Sequence, residues 1–128
     1  MGVAVATPTL TQPLDNTQHN IVAYGTIAVT ASTATYATGG VVLDFSKLGI
    51  SSSYPPFLVT IKSEPLVASP ATAEYIYTFL PGTTLANGKL QIYTGAAAQS
   101  GLTELSAGAT PSGVSGDRIF FEAKFVRV

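Results

Sequence analysis

The chain has no cysteine, no tryptophan, one histidine and one methionine, and only 10 % of its 128 residues are charged. Without cysteine there is no disulfide and no thiolate metal site, so stability has to come from packing, with or without oligomerisation. The charged fraction compares with about 25 % in an ordinary soluble domain. Net charge is −1, and the six cations Lys47, Lys62, Lys89, Arg118, Lys124 and Arg127 are scattered. Binding to nucleic acid needs concentrated positive charge that releases counterions, so a nucleic-acid partner is not expected. No apolar run reaches the length of a membrane-crossing helix, so no membrane partner is expected either. The start, MGVAVATPTLTQP, lacks the basic and apolar regions of a secretion signal, and no Ser or Thr follows Gly2 at the spacing of a myristoylation site. The expectation is a protein made and used without secretion.

What the chain has instead is weak polarity: 17 Thr, 11 Ser, 17 Ala and 12 Gly. Such a surface lies against other protein at low desolvation cost, because few ionic groups have to leave water. The length fits one domain, able to bury roughly two-thirds of its unfolded surface. Residues 1–20 carry Pro8 and Pro13 among Thr and Gln, and show no periodicity. Proline fixes φ and removes a donor, so this stretch reads as an extended N-terminal arm, disordered alone and ordered against a neighbour. Val3, Val5, Leu10 and Leu14 are its available anchors. Residues 21–128 read as a single β domain.

Within that domain, short β-branched and aromatic runs alternate with turn residues. IVAYGTIAVT (21–30) is the first strand, with a bend expected at Gly25. VVLDF places Val41, Leu43 and Phe45 on one face, and KLGISSS reads as a tight turn or a single helical turn closed by Gly49. PFLVTIKS (56–63) puts Phe57, Val59 and Ile61 inward. AEYIYTFL (73–80) puts Tyr75, Tyr77 and Phe79 on one face and Ile76, Thr78 and Leu80 on the other, both partly covered. Asn87-Gly88 is the strongest hairpin signal. Ala96 to Ala98 allow about one helical turn. RIFFEAKFVRV alternates Ile119, Phe121, Ala123 and Phe125 against Arg118, Phe120, Glu122 and Lys124. Six or seven such strands predict an all-β fold, an antiparallel β-sandwich or barrel of jelly-roll type.

Chemistry is harder to find. His19 stands in the arm near Asp15, and a metal or general-base role would need further groups from the folded domain, so it reads as a solvated or hydrogen-bonding histidine. The carboxylates Asp15, Asp44, Glu64, Glu74, Glu104, Asp117 and Glu122 form no motif, and nothing singles out two of them as a glycosidase pair. No G-x-S-x-G elbow is present, and SGVSGD (112–117) reads as a loop bonded to its own backbone. Gly39-Gly40 leads into a strand, not into a helix whose amides would meet a phosphate, so the pair is expected to be a bend. The expectations are no catalytic residue, no metal site, no cofactor and no enzymatic activity.

The order GTIAVT, TYATGGVVLDFSKLGI, FLVTIKS, YIYTFLPG, NGKLQIYT and RIFFEAKFVRV resembles a group of small tailed-phage virion proteins, over about residues 25 to 128. Several of these are capsid cement or decoration proteins. The resemblance implies a small β-sandwich or barrel, often a homotrimer, bound outside the capsid at local three-fold axes. Its partner would then be the major capsid protein, and its location the virion surface after synthesis in the host cytoplasm. Ile76 and Phe120 are the candidate trimer contacts, the alternative being that both strands lie inside the domain. The arm with Val3, Val5, Leu10 and Leu14 is the candidate capsid contact. A different function remains open on the same residues: a tail- or fibre-associated module binding a host-surface carbohydrate, with Tyr24, Tyr36, Tyr54 and Tyr93 as stacking platforms.

Overall fold

The computed structural model describes residues 2–30, 34–50, 54–65, 75–95, 102–105, 107–109, 114 and 117–127. In chain order its strands are β1 (Gly2–Val3), β2 (Ala6–Leu10), β3 (Asp15–Asn16), β4 (Asn20–Val29), β5 (Ala34–Tyr36), β6 (Val41–Leu43), β7 (Leu58–Pro65), β8 (Tyr75–Leu80), β9 (Gly88–Gly95), β10 (Leu102–Glu104), β11 (Gly108–Ala109) and β12 (Asp117–Val126). A 3₁₀ turn at Ser46–Leu48 ends on Gly49 in the left-handed region, as KLG suggests. The expected helical turn at 96–98 lies outside the described residues, as does most of 112–116.

The main sheet runs β9–β6–β2–β4–β12–β7, with β3 continuing the β2 edge of β4. β10 continues the β6 edge of β9, and β8 takes the opposite edge of β9 along its whole length. β7 then approaches β8, where Ser63 Oγ donates to the Tyr75 carbonyl at 3.4 Å, and the sheet curls into a nearly closed barrel. The all-β expectation holds, but the sheet is mixed: β2 runs parallel to β6, and β1 runs parallel to β5 in a small side sheet β1–β5–β11.

Alternation decides the interior. Ile21, Ala23, Ile27 and Val29 of β4 meet Ile119, Phe121, Ala123 and Phe125 of β12 inside the barrel, joined by Val41, Leu43, Leu90 and Ile92. Phe45 is fully buried at their centre, with ring centroids 5.8, 5.4 and 5.5 Å from Phe79, Phe121 and Phe125. Tilted and edge-on rings at that spacing gain beyond simple area burial. Gly25 has a steric reason to be glycine: a Cβ there would meet Phe121 Cε1 at 2.9 Å and the Thr9 carbonyl closer still.

Three details differ from the sequence reading. Phe57 sits just before β7 and is 53 % exposed; its amide donates to the Lys124 carbonyl, and alternation begins one residue later, with Val59 and Ile61 packed on the core. Ile76, Thr78 and Leu80 form an exposed outer row on β8, not a covered one. The β8–β9 hairpin exists, but seven residues separate its strands, numbered 81–87. Asn87 is not a turn centre: its Oδ1 accepts from the amides of Thr83 and Thr84, both at 2.9 Å, and its Nδ2 donates to Thr83 Oγ1 at 2.7 Å. The asparagine acts as an Asx-type cap that closes the loop.

The stretch expected to be an arm is extended, and it runs along the domain's own sheet. β2 pairs antiparallel with β4 from Ala6↔Val29 to Leu10↔Gly25, and Ala4 and Ala6 are buried. The Thr30 amide donates to the Val5 carbonyl at 3.0 Å and the Thr11 amide to the Tyr24 carbonyl at 3.1 Å. Odd-numbered peptide groups therefore face β4. Pro8 falls on the other edge, where its missing N–H interrupts no bond, which is how a strand accepts proline.

Candidate functional site

The glycine pair that reads as a bend is one, and it also binds a carboxylate. Gly39 and Gly40 have φ of 104° and 122°, a region that glycine enters without a Cβ penalty. The Gly40 amide donates to the Ala37 carbonyl at 3.1 Å and closes the turn. The Gly39 amide donates to Glu104 Oε2 at 2.7 Å, and the buried Tyr36 hydroxyl donates to the same oxygen at 2.8 Å. The Ile92 amide in turn donates to the Tyr36 hydroxyl oxygen at 3.2 Å. One carboxylate thus ties the β5–β6 turn to β10 and, through Tyr36, to β9. Burial pushes the Tyr36 pKa up to about 12, opposed by the Ile92 amide and reinforced by the Glu104 hydrogen bond and charge. Glu104 Oε2, the Tyr36 hydroxyl and the Gly39 and Ile92 amides all find their partners within the chain, so the arrangement fastens the turn to the barrel wall.

The remaining titratable groups are dispersed. The Tyr24 pKa is raised, first by its hydrogen bond to Glu122, which faces it across β4 and β12, then by burial and by the charges of Glu122 and Asp15. His19 is exposed; its carbonyl accepts from the Arg127 amide at 2.8 Å, and Arg127 Nη1 donates to the Thr17 carbonyl at 2.8 Å. Among the described residues no group of three or more His, Asp or Glu is placed to hold a metal. No helix among them is long and apolar enough to cross a membrane.

The anchors expected in the arm divide into two pairs. Leu10 and Leu14 pack against the core, whereas Val3 and Val5 point outward, Val3 with 74 % of its surface exposed. Together with Val42 of β6, they flank a groove of about 330 Å³ that also receives Pro8, Asp44 and Lys47. Ile76 and Phe120, expected at a trimer contact, both lie on the outer face, exposed and half-buried respectively. β7 runs between their strands, and its Lys62 stands directly opposite Phe120.

Among the described residues, the exposed large apolar side chains other than Tyr54 fall into two groups. One is Val3, Val5 and Val42, beside β2 and β6. The other is Phe57, Leu58 and Val126 at one end of β7 and β12, with Ile76 and Leu80 on β8. Going round the barrel, β4 separates the two groups on one side and β9 on the other, so they occupy opposite sides. Comparison with protein-family models, curated proteins and solved structures returned no match.

Proposed function

We propose that this chain is a non-catalytic structural protein of a tailed-phage virion, a decoration (cement) protein that sits on the outer surface of the head and bridges major capsid subunits. The observation that carries the reading is the pair of apolar faces on opposite sides of a small barrel with little charge. A bridge needs two contact surfaces, and exposed apolar side chains gathered on a surface mark sites where protein meets protein. The scarcity of charge lowers the desolvation cost of both contacts. The ties within the chain, from the Phe45 cluster to the Glu104 fastening, fit a part that transmits load between neighbours.

Immunogold labelling of intact particles from the source virus, with antibody against this chain, tests the reading. Gold spread over the heads is the expected result. Gold confined to the tail tip would assign the chain to host recognition instead.

A further inference from the structure

We propose that the groove between β2 and β6 is a self-association face, which takes a second copy of this chain about a two-fold axis. The groove of about 330 Å³ is floored and flanked by Val3, Val5, Pro8 and Val42 and carries one acid, Asp44, and one base, Lys47. A cavity of about 150 Å³ already holds a benzene-sized group, so this one has room for a branched aliphatic side chain. Val3 is such a side chain, on the same face and projecting into solvent. Knob and hole thus lie on one surface, as a contact between identical surfaces requires.

The charges point the same way. One acid and one base on the same face supply both halves of an ion pair, so two copies of the chain can complement each other's charges. Here the two signs stand three residues apart, separated by the start of the 3₁₀ turn. Asp44 Oδ1 accepts the Ser46 amide at 2.8 Å, which fixes the carboxylate, and its second oxygen has no hydrogen-bond partner among the described residues. The Lys47 ammonium has no hydrogen-bond or ion-pair partner among the described residues. A two-fold axis through the valines brings Asp44 of each copy to Lys47 of the other, satisfying both charges at once. Pro8 offers no N–H on the open edge of β2, so the contact is made by side chains and not by adding a strand.

The proposal gives one of the two faces to a second copy, so that a pair of chains, each attached by its β7, β8 and β12 face, would span two capsid subunits; the pairing itself is tested without particles. Sedimentation of the purified chain should show a mass rising with concentration from 13.2 kDa to twice that value. V42S and K47D should each weaken the dimer, by roughly tenfold or more for the charge reversal, which replaces two attractions with two repulsions. D44K should weaken it likewise, and circular dichroism shows whether that variant folds. The decisive arm mixes D44K with K47D: each self-associates more weakly than wild type, but together they form a heterodimer of restored affinity, because the new ammonium faces the new carboxylate. Should D44K fail to fold, D44N keeps an amide oxygen for Ser46 and weakens self-association by a smaller factor. A monomer at every concentration, a trimer, or a dimer indifferent to both V42S and K47D would overturn the proposal.

Discussion

The barrel wall formed by β4, β12 and β7 and the fastening around Tyr36, Gly39 and Glu104 are held together by different physics. In the wall, long strands pair along their length, and alternate apolar side chains fill the interior around Phe45. Any side chain of similar size and polarity would serve nearly as well at most of those positions. In the fastening, one carboxylate oxygen takes two donors, and the buried phenol that supplies one of them itself accepts a second amide. There the geometry admits few substitutes, because removing one partner strands another in a place that water reaches poorly. The wall is distributed and tolerant; the fastening is local and exacting.

The largest expected effect lies in the wall. F45A removes the ring shared by Phe79, Phe121 and Phe125 and should cost about 3–5 kcal/mol, read as a fall in the denaturant midpoint with the slope unchanged. Replacing Phe45 with Leu should cost much less, which is the tolerance just described.

Next comes the fastening. E104A and Y36F should each cost about 1–3 kcal/mol, since each strands at least one donor. The double variant should cost less than the sum, because both remove the same bond. E104A that unfolds at the wild-type midpoint would show that the carboxylate contributes nothing to stability.

Glycine variants sharpen the contrast at the turn. G39A should cost about 1–2 kcal/mol, for backbone conformation alone, because a Cβ there meets nothing within 4 Å. G40A should cost more, because its Cβ would also meet the Leu90 carbonyl at 2.9 Å. Equal losses at the two positions would show that backbone conformation, and not crowding against β9, decides the matter.

The smallest effect is one of pH. The folded-state pKa of Tyr36, about 12, lies above the ordinary value of 10.0, so folding favours the neutral phenol. That contribution is complete below pH 10 and is lost as pH rises from 10 towards 12, because the unfolded chain releases its proton first. The stability difference between wild type and Y36F should be flat below pH 10 and then shrink, by at most about 1.4 kcal/mol per pH unit. A difference that stays flat through pH 12 would place Tyr36 in a wetter site than the structure gives it.

The same contrast explains what could be read from the chain beforehand. Strands β4, β6 and β12 were legible because burial and alternation coincide over several residues, as in Val41, Leu43 and Phe45 or Ile119 to Phe125. β2 was not, because its inward positions are Ala6, Pro8 and Leu10, small or irregular residues in a Thr-rich stretch. The signal was there in the alternation Ala4, Ala6, Pro8, Leu10, but a methyl group scarcely registers as apolar. The parallel pairing of β2 with β6 follows from a path between distant segments that local pattern does not encode. Asn87 was recognised as a turn residue, but its work through the side chain was not. The Tyr36–Glu104 bond spans 68 residues, and nothing near Glu104 sets it apart from the other six acids. The two outer faces were legible only in part: Val3, Val5 and Ile76 read as contact residues, whereas Val42 and Phe57 read as interior or unremarked.

Those faces carry the functional account, in which one attaches the chain to the head and the other joins it to a second copy. The most direct test is the temperature at which heads release their genome after decoration with wild-type protein or with V42S, at equal measured occupancy. The account predicts that wild type raises this temperature and that V42S, attached but unable to join its neighbour, raises it much less. Wild-type protein that fails to bind heads, or V42S that stabilises them equally, would contradict it.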